Sequence, residues 1–128
     1  MNYAFICLII AAIFPFIFAG LAKFGGQMAG KKFDNHDPRT YLANLSGWPH
    51  RAQAVQLNSW EALPLFIAGV LMATHAGVAQ ESINLWAFIF ILARFIYAGC
   101  YLLDYASLRS LIWFVGTGAS IRLMVAAL

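Results

Sequence analysis

Residues 3–22 read YAFICLIIAAIFPFIFAGLA, twenty positions without a charge. At 1.5 Å per residue a helix of that length covers about 30 Å, the thickness of a bilayer's hydrocarbon core. A cleavable signal would carry its cations ahead of the apolar stretch. Here Lys23, Lys31 and Lys32 come after it, so the sequence predicts a span that is retained. Pro15 lies inside the run, where membrane helices tolerate proline, and is expected to bend it. The rest of the chain agrees with this opening. Of 128 residues 62% are hydrophobic and 10% charged, against about 45–50% and about 25% in soluble domains. A water-soluble globule and a disordered chain are both excluded. A disulfide scaffold is excluded as well, because the two cysteines, Cys7 and Cys100, sit in apolar runs.

At about 20 residues per crossing, four spans nearly exhaust the length. Residues 29–49 gather most of the polar side chains together with Gly, Asn and Pro, and read as the one substantial loop. Spans are expected at about 3–28, 50–75, 82–103 and 108–127, forming a single integral-membrane domain over residues 1–128. The links at 76–81 and 104–107 are short, which makes neighbouring helices antiparallel. The expected fold class is therefore an all-α membrane protein, a four-transmembrane-helix up-down bundle. Lys23, Lys31, Lys32, Arg39, Arg51 and Arg109 fall on the side of the first and third loops, while the second loop has neither Lys nor Arg. The positive-inside rule puts those two loops in the cytoplasm and both termini on the opposite side. A net charge of +3 then describes a membrane-facing rim, with no pattern that suits nucleic acid.

Against that apolar background, Glu61 and Arg94 stand out, because an ionisable side chain at the centre of a span costs about 2.5–3.5 kcal/mol on insertion scales. On the second span Arg51, Asn58 and Glu61 share a helix face, with Gln56 near its edge. On the third, Arg94, Tyr97, Tyr101 and Asp104 do the same. Glu61 and Arg94 are expected to pair across the two helices. The remaining polarity exceeds what one ion pair requires and implies a cavity open to the loop side, cationic and rich in hydroxyls. Such a cavity suits an anionic, amine-bearing ligand next to a lipophilic one. Arg109, at the start of the fourth span, joins a permanent charge to the positive end of a helix dipole. The common use of such a residue is a cation anchored at the interface. It is equally placed to ionise a bound thiol, since one unit of thiol pKa needs only about 1.36 kcal/mol of thiolate stabilisation.

These residues together resemble the MAPEG family, the membrane-associated proteins in eicosanoid and glutathione metabolism. The resemblance rests on NSWEALPLF (58–66), with Asn58, Glu61 and Pro64; on ARFIYAGCY (93–101), with Arg94, Tyr97 and Tyr101; and on Arg109 and Ser110 in LRS (108–110). It implies a homotrimer that binds glutathione as co-substrate between adjacent subunits, while a lipophilic electrophile enters from the bilayer. By position Asn58 and Glu61 look like the family's glutathione-binding pair, Tyr97 and Tyr101 like its third-helix contacts, Arg109 like its thiolate-activating arginine and Ser110 like the serine that follows it. One departure is plain. Where the family usually has Arg-Ala-His/Gln-x-Asn, this chain has Ala54, Val55, Gln56, Leu57 and Asn58. Arg51, one helical turn before Ala54, is expected to supply the missing cation.

The resulting expectation is a glutathione-dependent transferase or peroxidase. Arg109 is the catalytic residue; Arg51, Gln56, Asn58, Glu61, Arg94, Tyr97, Tyr101 and Ser110 bind glutathione. A non-enzymatic lipid-binding or scaffold member of the same fold is the alternative, motivated by Ala54. A small transporter comes third, because the chain has no internal repeat. His36, His50 and His75 share no ligand spacing, and no metal is expected. The four tryptophans, Trp48, Trp60, Trp86 and Trp113, read as interface or lipid-facing aromatics.

Overall fold

A computed structural model describes residues 1–128 and contains five helices: α1 (Tyr3–Met28), α2 (Pro38–Ala43), α3 (Gly47–His75), α4 (Gln80–Leu102) and α5 (Ala106–Ala126). All but α2 are long and apolar enough to cross a membrane, and the protein is an integral, multi-pass membrane protein. α1 starts where Asn2 accepts a hydrogen bond from the Phe5 amide, and it continues through Pro15. The loop at 29–49 is not wholly irregular. Asp37 accepts a hydrogen bond from the Thr40 amide and Pro38 occupies the first turn, two features that start a helix, so residues 38–43 form α2. The bonds from Thr40 hold the exposed Asp37 carboxyl below the usual carboxylate range. α3 begins at Gly47 rather than His50, α4 runs 80–102 rather than 82–103, and α5 starts two residues early. Helix ends commonly shift by this much, since side-chain and backbone caps decide them rather than hydrophobic periodicity.

The four long helices alternate in direction. At the end that holds both termini, the Asn84 Oδ1 accepts hydrogen bonds from the Ala4 amide at 3.0 Å and from Gln80 at 2.8 Å, and Gln80 also donates to Asn2. The start of α4 thus satisfies one first-turn donor of α1, the Ala4 amide, that α1 cannot satisfy itself. At the opposite end the Arg51 Nε donates to the Leu102 carbonyl at 3.1 Å, which joins the first turns of α3 to the end of α4. α1 packs on α3 and α4, and so does α5, so α3 and α4 form the central pair with α1 and α5 on its two flanks.

The interior is built in two apolar storeys. Toward the termini, Ala4, Cys7, Ala11, Phe66, Val70, Ala73, Ile83, Phe90 and Leu123 belong to one buried cluster, in which the Phe66 and Phe90 rings stack at 3.9 Å. Toward the long loop, Phe14, Phe18, Ala22, Leu42, Leu45, Ala52, Val55 and Ala98 form the second. Small residues set how closely the helices approach. A Cβ on Gly69 would lie 2.7 Å from the Ser120 carbonyl oxygen of α5 and 3.1 Å from the Leu123 Cβ. Gly69→Ala should therefore push α3 from α5 and cost about 1–3 kcal/mol. The measurement is thermal unfolding in detergent, where a variant as stable as the parent would show that this contact yields freely.

Candidate functional site

Between the two apolar storeys lies a polar layer. Arg94 comes from α4, eight residues before its end, and is only 5% exposed. Its Nη1 donates to the Asn58 Oδ1 at 2.7 Å and its Nη2 to the Ser59 Oγ at 3.0 Å. Ser59 donates in turn to the Val55 carbonyl at 2.7 Å. Glu61 was the expected partner of Arg94, and the structure corrects this. Glu61 is exposed on α3, while Asn58 and Ser59 face the arginine. Three residues along a helix turn the chain by roughly 300°, so the Asn58 and Glu61 side chains differ by about 60° in direction. That difference is enough to put one against α4 and the other on the surface of the chain.

From Arg94 a ladder of cations and rings leads to the membrane boundary. The Arg94 guanidinium lies 4.4 Å from the Tyr97 ring centre, Tyr97 meets Tyr101 edge-on at 5.7 Å, and the Arg109 guanidinium lies 4.4 Å from the Tyr101 ring centre. Each contact is of the cation–π or edge-to-face kind, stronger away from water. Tyr101 and Arg109 flank a tight turn in which Asp104 adopts a left-handed conformation with φ of 62°. Asp104, expected on the polar stripe, is part of this turn and exposed. No side chain caps the first turn of α5, so its free backbone donors add to the positive field around Arg109.

Tyr97, Tyr101, Arg109 and Ser110 line a cleft of about 340 Å³ together with Trp113 and Phe114. The cleft therefore has a cationic, hydroxyl-bearing side and an aromatic side, and Phe114 is exposed on the surface of the bundle. Neither Trp113 nor Phe114 was singled out for the site from sequence. The signal was available for Trp113, which stands four residues after Arg109 and hence on the same helix face. Ser59 was also missed. A serine facing the bundle interior beside Asn58 is its only mark in the sequence.

Other expected site residues lie outside this lining. Arg51 is engaged with the Leu102 carbonyl. The Gln56 Oε1 is buried with no hydrogen-bond partner, as is that of Gln53. Asn58 reaches the ladder through Arg94, and Glu61 stands on the outer surface of α3. No group of three or more His, Cys, Asp or Glu side chains is placed to hold a metal ion.

A multi-pass helical membrane protein with a cationic, tyrosine-lined cleft at one end of its bundle is the class that this geometry defines. The family model that matches is that of the MAPEG family, over residues 3–128, and the chain belongs to that family. The family includes glutathione transferases and peroxidases as well as non-enzymatic members. No curated protein and no solved structure matches the chain.

The contact of Arg51 with Leu102 makes a specific demand. Arg51→Leu removes a charged hydrogen bond that ties α3 to α4, and should lower stability by about 1.5–3 kcal/mol in thermal unfolding. If unfolding is unchanged while affinity for an anionic ligand falls, Arg51 is a ligand group and not a tie between helices.

Proposed function

We propose that the protein is an integral-membrane glutathione-dependent transferase or peroxidase that acts on a lipophilic electrophile. The observation that carries this reading is Arg109, seated on Tyr101 at the uncapped start of α5, in a cleft that it shares with Tyr97, Ser110, Trp113 and Phe114. The guanidinium cannot deprotonate, so it favours the thiolate of a bound glutathione at any physiological pH. The thiol proton leaves to water and the sulfur becomes the nucleophile. In the transferase reaction, sulfur forms a bond to an electrophilic carbon while that carbon's bond to its leaving group breaks, and the group departs with the electron pair and takes a proton from water. In the peroxidase reaction, two glutathione molecules reduce one hydroperoxide to an alcohol and water and become a disulfide. Both need a polar seat for the peptide beside an apolar seat for the lipid, and the two sides of the cleft are divided in that way.

The remaining ligand contacts belong to the same proposal. Tyr97 and Tyr101 offer hydroxyls, Ser110 adds another, and Gln56, Asn58 and Glu61 take the polar ends of the peptide, while Arg94 holds Asn58 and Arg51 reaches the peptide only by leaving the Leu102 carbonyl. Glu61 supports an adjoining subunit, and membership of the family makes a homotrimer the assembly we propose. Glu61 is an exposed carboxylate about fourteen residues into a 29-residue membrane helix, where lipid is a poor neighbour and an adjoining subunit is a good one. On this reading glutathione lies between subunits, bounded by the cleft of one and the Asn58 to Glu61 face of the next. By the positive-inside rule, the cations of the first and third loops support a cleft on the cytoplasmic side. The second reading is a scaffold or lipid-binding member without catalysis. It is favoured by Ala54 at the family's arginine position together with the engagement of Arg51 elsewhere.

The deciding experiment is glutathione binding and conjugation of a generic electrophile by the purified protein in detergent, beside Arg109→Ala. The expected outcome is millimolar or tighter binding by the parent and a loss of conjugation of at least about tenfold in the variant, one pKa unit of thiolate stabilisation. Equal rates would remove Arg109 from the chemistry. Absence of binding by the parent would favour the scaffold.

A further inference from the structure

Charge is divided unevenly along the chain. Residues 23–51 hold five cations, Lys23, Lys31, Lys32, Arg39 and Arg51, against two carboxylates, Asp34 and Asp37, whereas elsewhere Arg94, Arg109 and Arg122 are matched in number by Glu61, Glu81 and Asp104. The whole net charge of +3 therefore belongs to the segment that follows the first span. Part of that segment is a built cleft. Gln27, Gly30, Lys31, Lys32 and Phe33 line a space of about 490 Å³ at the end of α1, where a membrane helix gives way to the headgroup layer. The chain turns there at Gly30, whose φ of 83° is left-handed. The turn is held from behind by α2, since the Tyr41 hydroxyl donates to the Lys31 carbonyl at 2.9 Å and the Tyr41 and Phe33 rings meet edge-on at 5.2 Å. The Lys23 ammonium lies 4.8 Å from the centre of the same Phe33 ring. Lys31 uses one donor on the Asn44 carbonyl at 2.7 Å, and the exposed Lys32 has all three free. The backbone amides of Lys32 and Phe33 also donate to nothing in the chain.

From this arrangement we propose that the cleft binds the phosphate of an anionic phospholipid, with Lys32, Lys31 and the two free amides as its donors. The lining has no carboxylate. Asp34 and Asp37 are occupied by backbone amides, those of His36 at 2.9 Å and Thr40 at 3.3 Å. A zwitterionic headgroup thus finds a seat for its phosphate and none for its ammonium. The occupant is a lipid and not a soluble phosphate because of what lies on the membrane side. Ile17, Leu21, Phe24 and Met28 recur at helical spacing on one face of α1, all four are exposed, and the last adjoins Gln27 of the cleft. Acyl chains laid along that stripe bring their phosphate to the level of Lys32. The site shares no residue with the Arg109 cleft and does not rest on the glutathione reading. Its bound lipid fixes the loop over the end of α1 and makes order there depend on the charge of the surrounding leaflet.

The test uses the full-length protein in a non-ionic detergent, titrated with phosphatidylglycerol or with phosphatidylcholine of the same acyl chains. Bound lipid is counted by native mass spectrometry and affinity is read from the thermal shift. Phosphatidylglycerol should bind at least about fivefold more tightly than phosphatidylcholine, the worth of one basic residue at an anionic surface. Lys32→Gln should remove about that factor and Lys32→Arg should keep it. Lys32 is exposed, so neither change threatens the fold. Arg122→Gln removes the same charge from the other end of the bundle, where the guanidinium lies 5.8 Å from the Trp86 ring centre, and should leave the affinity as it is. Inorganic phosphate and glutathione, each in excess, should not displace the lipid. Equal binding of the two lipids, or an equal loss in Arg122→Gln, makes the attraction a matter of net charge and overturns the site. Displacement by inorganic phosphate overturns the lipid as occupant. Displacement by glutathione assigns the lysines to the peptide and overturns the proposal while leaving the glutathione reading standing.

Discussion

A guanidinium held at mid-bundle by uncharged oxygens is the constraint around which the rest of this protein is arranged. Arg94 interrupts the apolar interior, so the core divides into one cluster on each side of it. The division follows from the chemistry of the layer. A buried cation loses far more than it regains unless its donors are met, and the nearest acceptors must therefore be built into the facing helix. α3 meets that need with two consecutive residues, Asn58 and Ser59, and the Tyr97 ring covers the flat face of the cation. Fixing α3 against α4 at this level settles the positions of both flanking helices, because each packs on that central pair.

Much of the architecture was legible before any coordinates. Uncharged runs of about 20 residues have few readings in a chain this poor in charge, and short links leave adjacent spans little freedom but to reverse. The ends were less legible. α2 owes its existence to one Asp, one Pro and a hydroxyl, signals too local to outweigh a loop rich in polar residues. At the site, helical spacing correctly gathered Tyr97 and Tyr101 on one face and placed Arg109 within reach. It failed between Asn58 and Glu61. A periodicity argument treats offsets of 60° as the same face, but whether a side chain touches the next helix or the surface is decided within that angle. Glu61 was expected opposite Arg94 because charge complementarity is a strong prior in lipid. Neutral oxygens closer to the contact line took the position.

Trp113 shows the reverse error. Tryptophans in membrane proteins most often sit in interfacial belts, and that general habit obscured its place four residues after Arg109, where it becomes a wall of the cleft. The aromatic side and the cationic side of the cleft thus come from one face of α5. The Trp113 and Phe114 rings are brought near Arg109 by helix geometry alone.

The turn between α4 and α5 has a consequence for how this protein comes to exist. Tyr101 and Arg109 are eight positions apart, and the left-handed Asp104 lets the chain reverse between them within a few residues. Closing so short a loop demands little entropy, whereas the contacts of α1 with α4 join segments some eighty residues apart. The α4–α5 hairpin is able to form its ring and cation pair as soon as both helices are in the bilayer, before the ends of the chain have met. The part of the protein that carries most of the cleft is therefore the part least dependent on the completed fold. It is a cassette of 47 residues, Gln80–Ala126, whose local order the rest of the bundle then deepens and shelters.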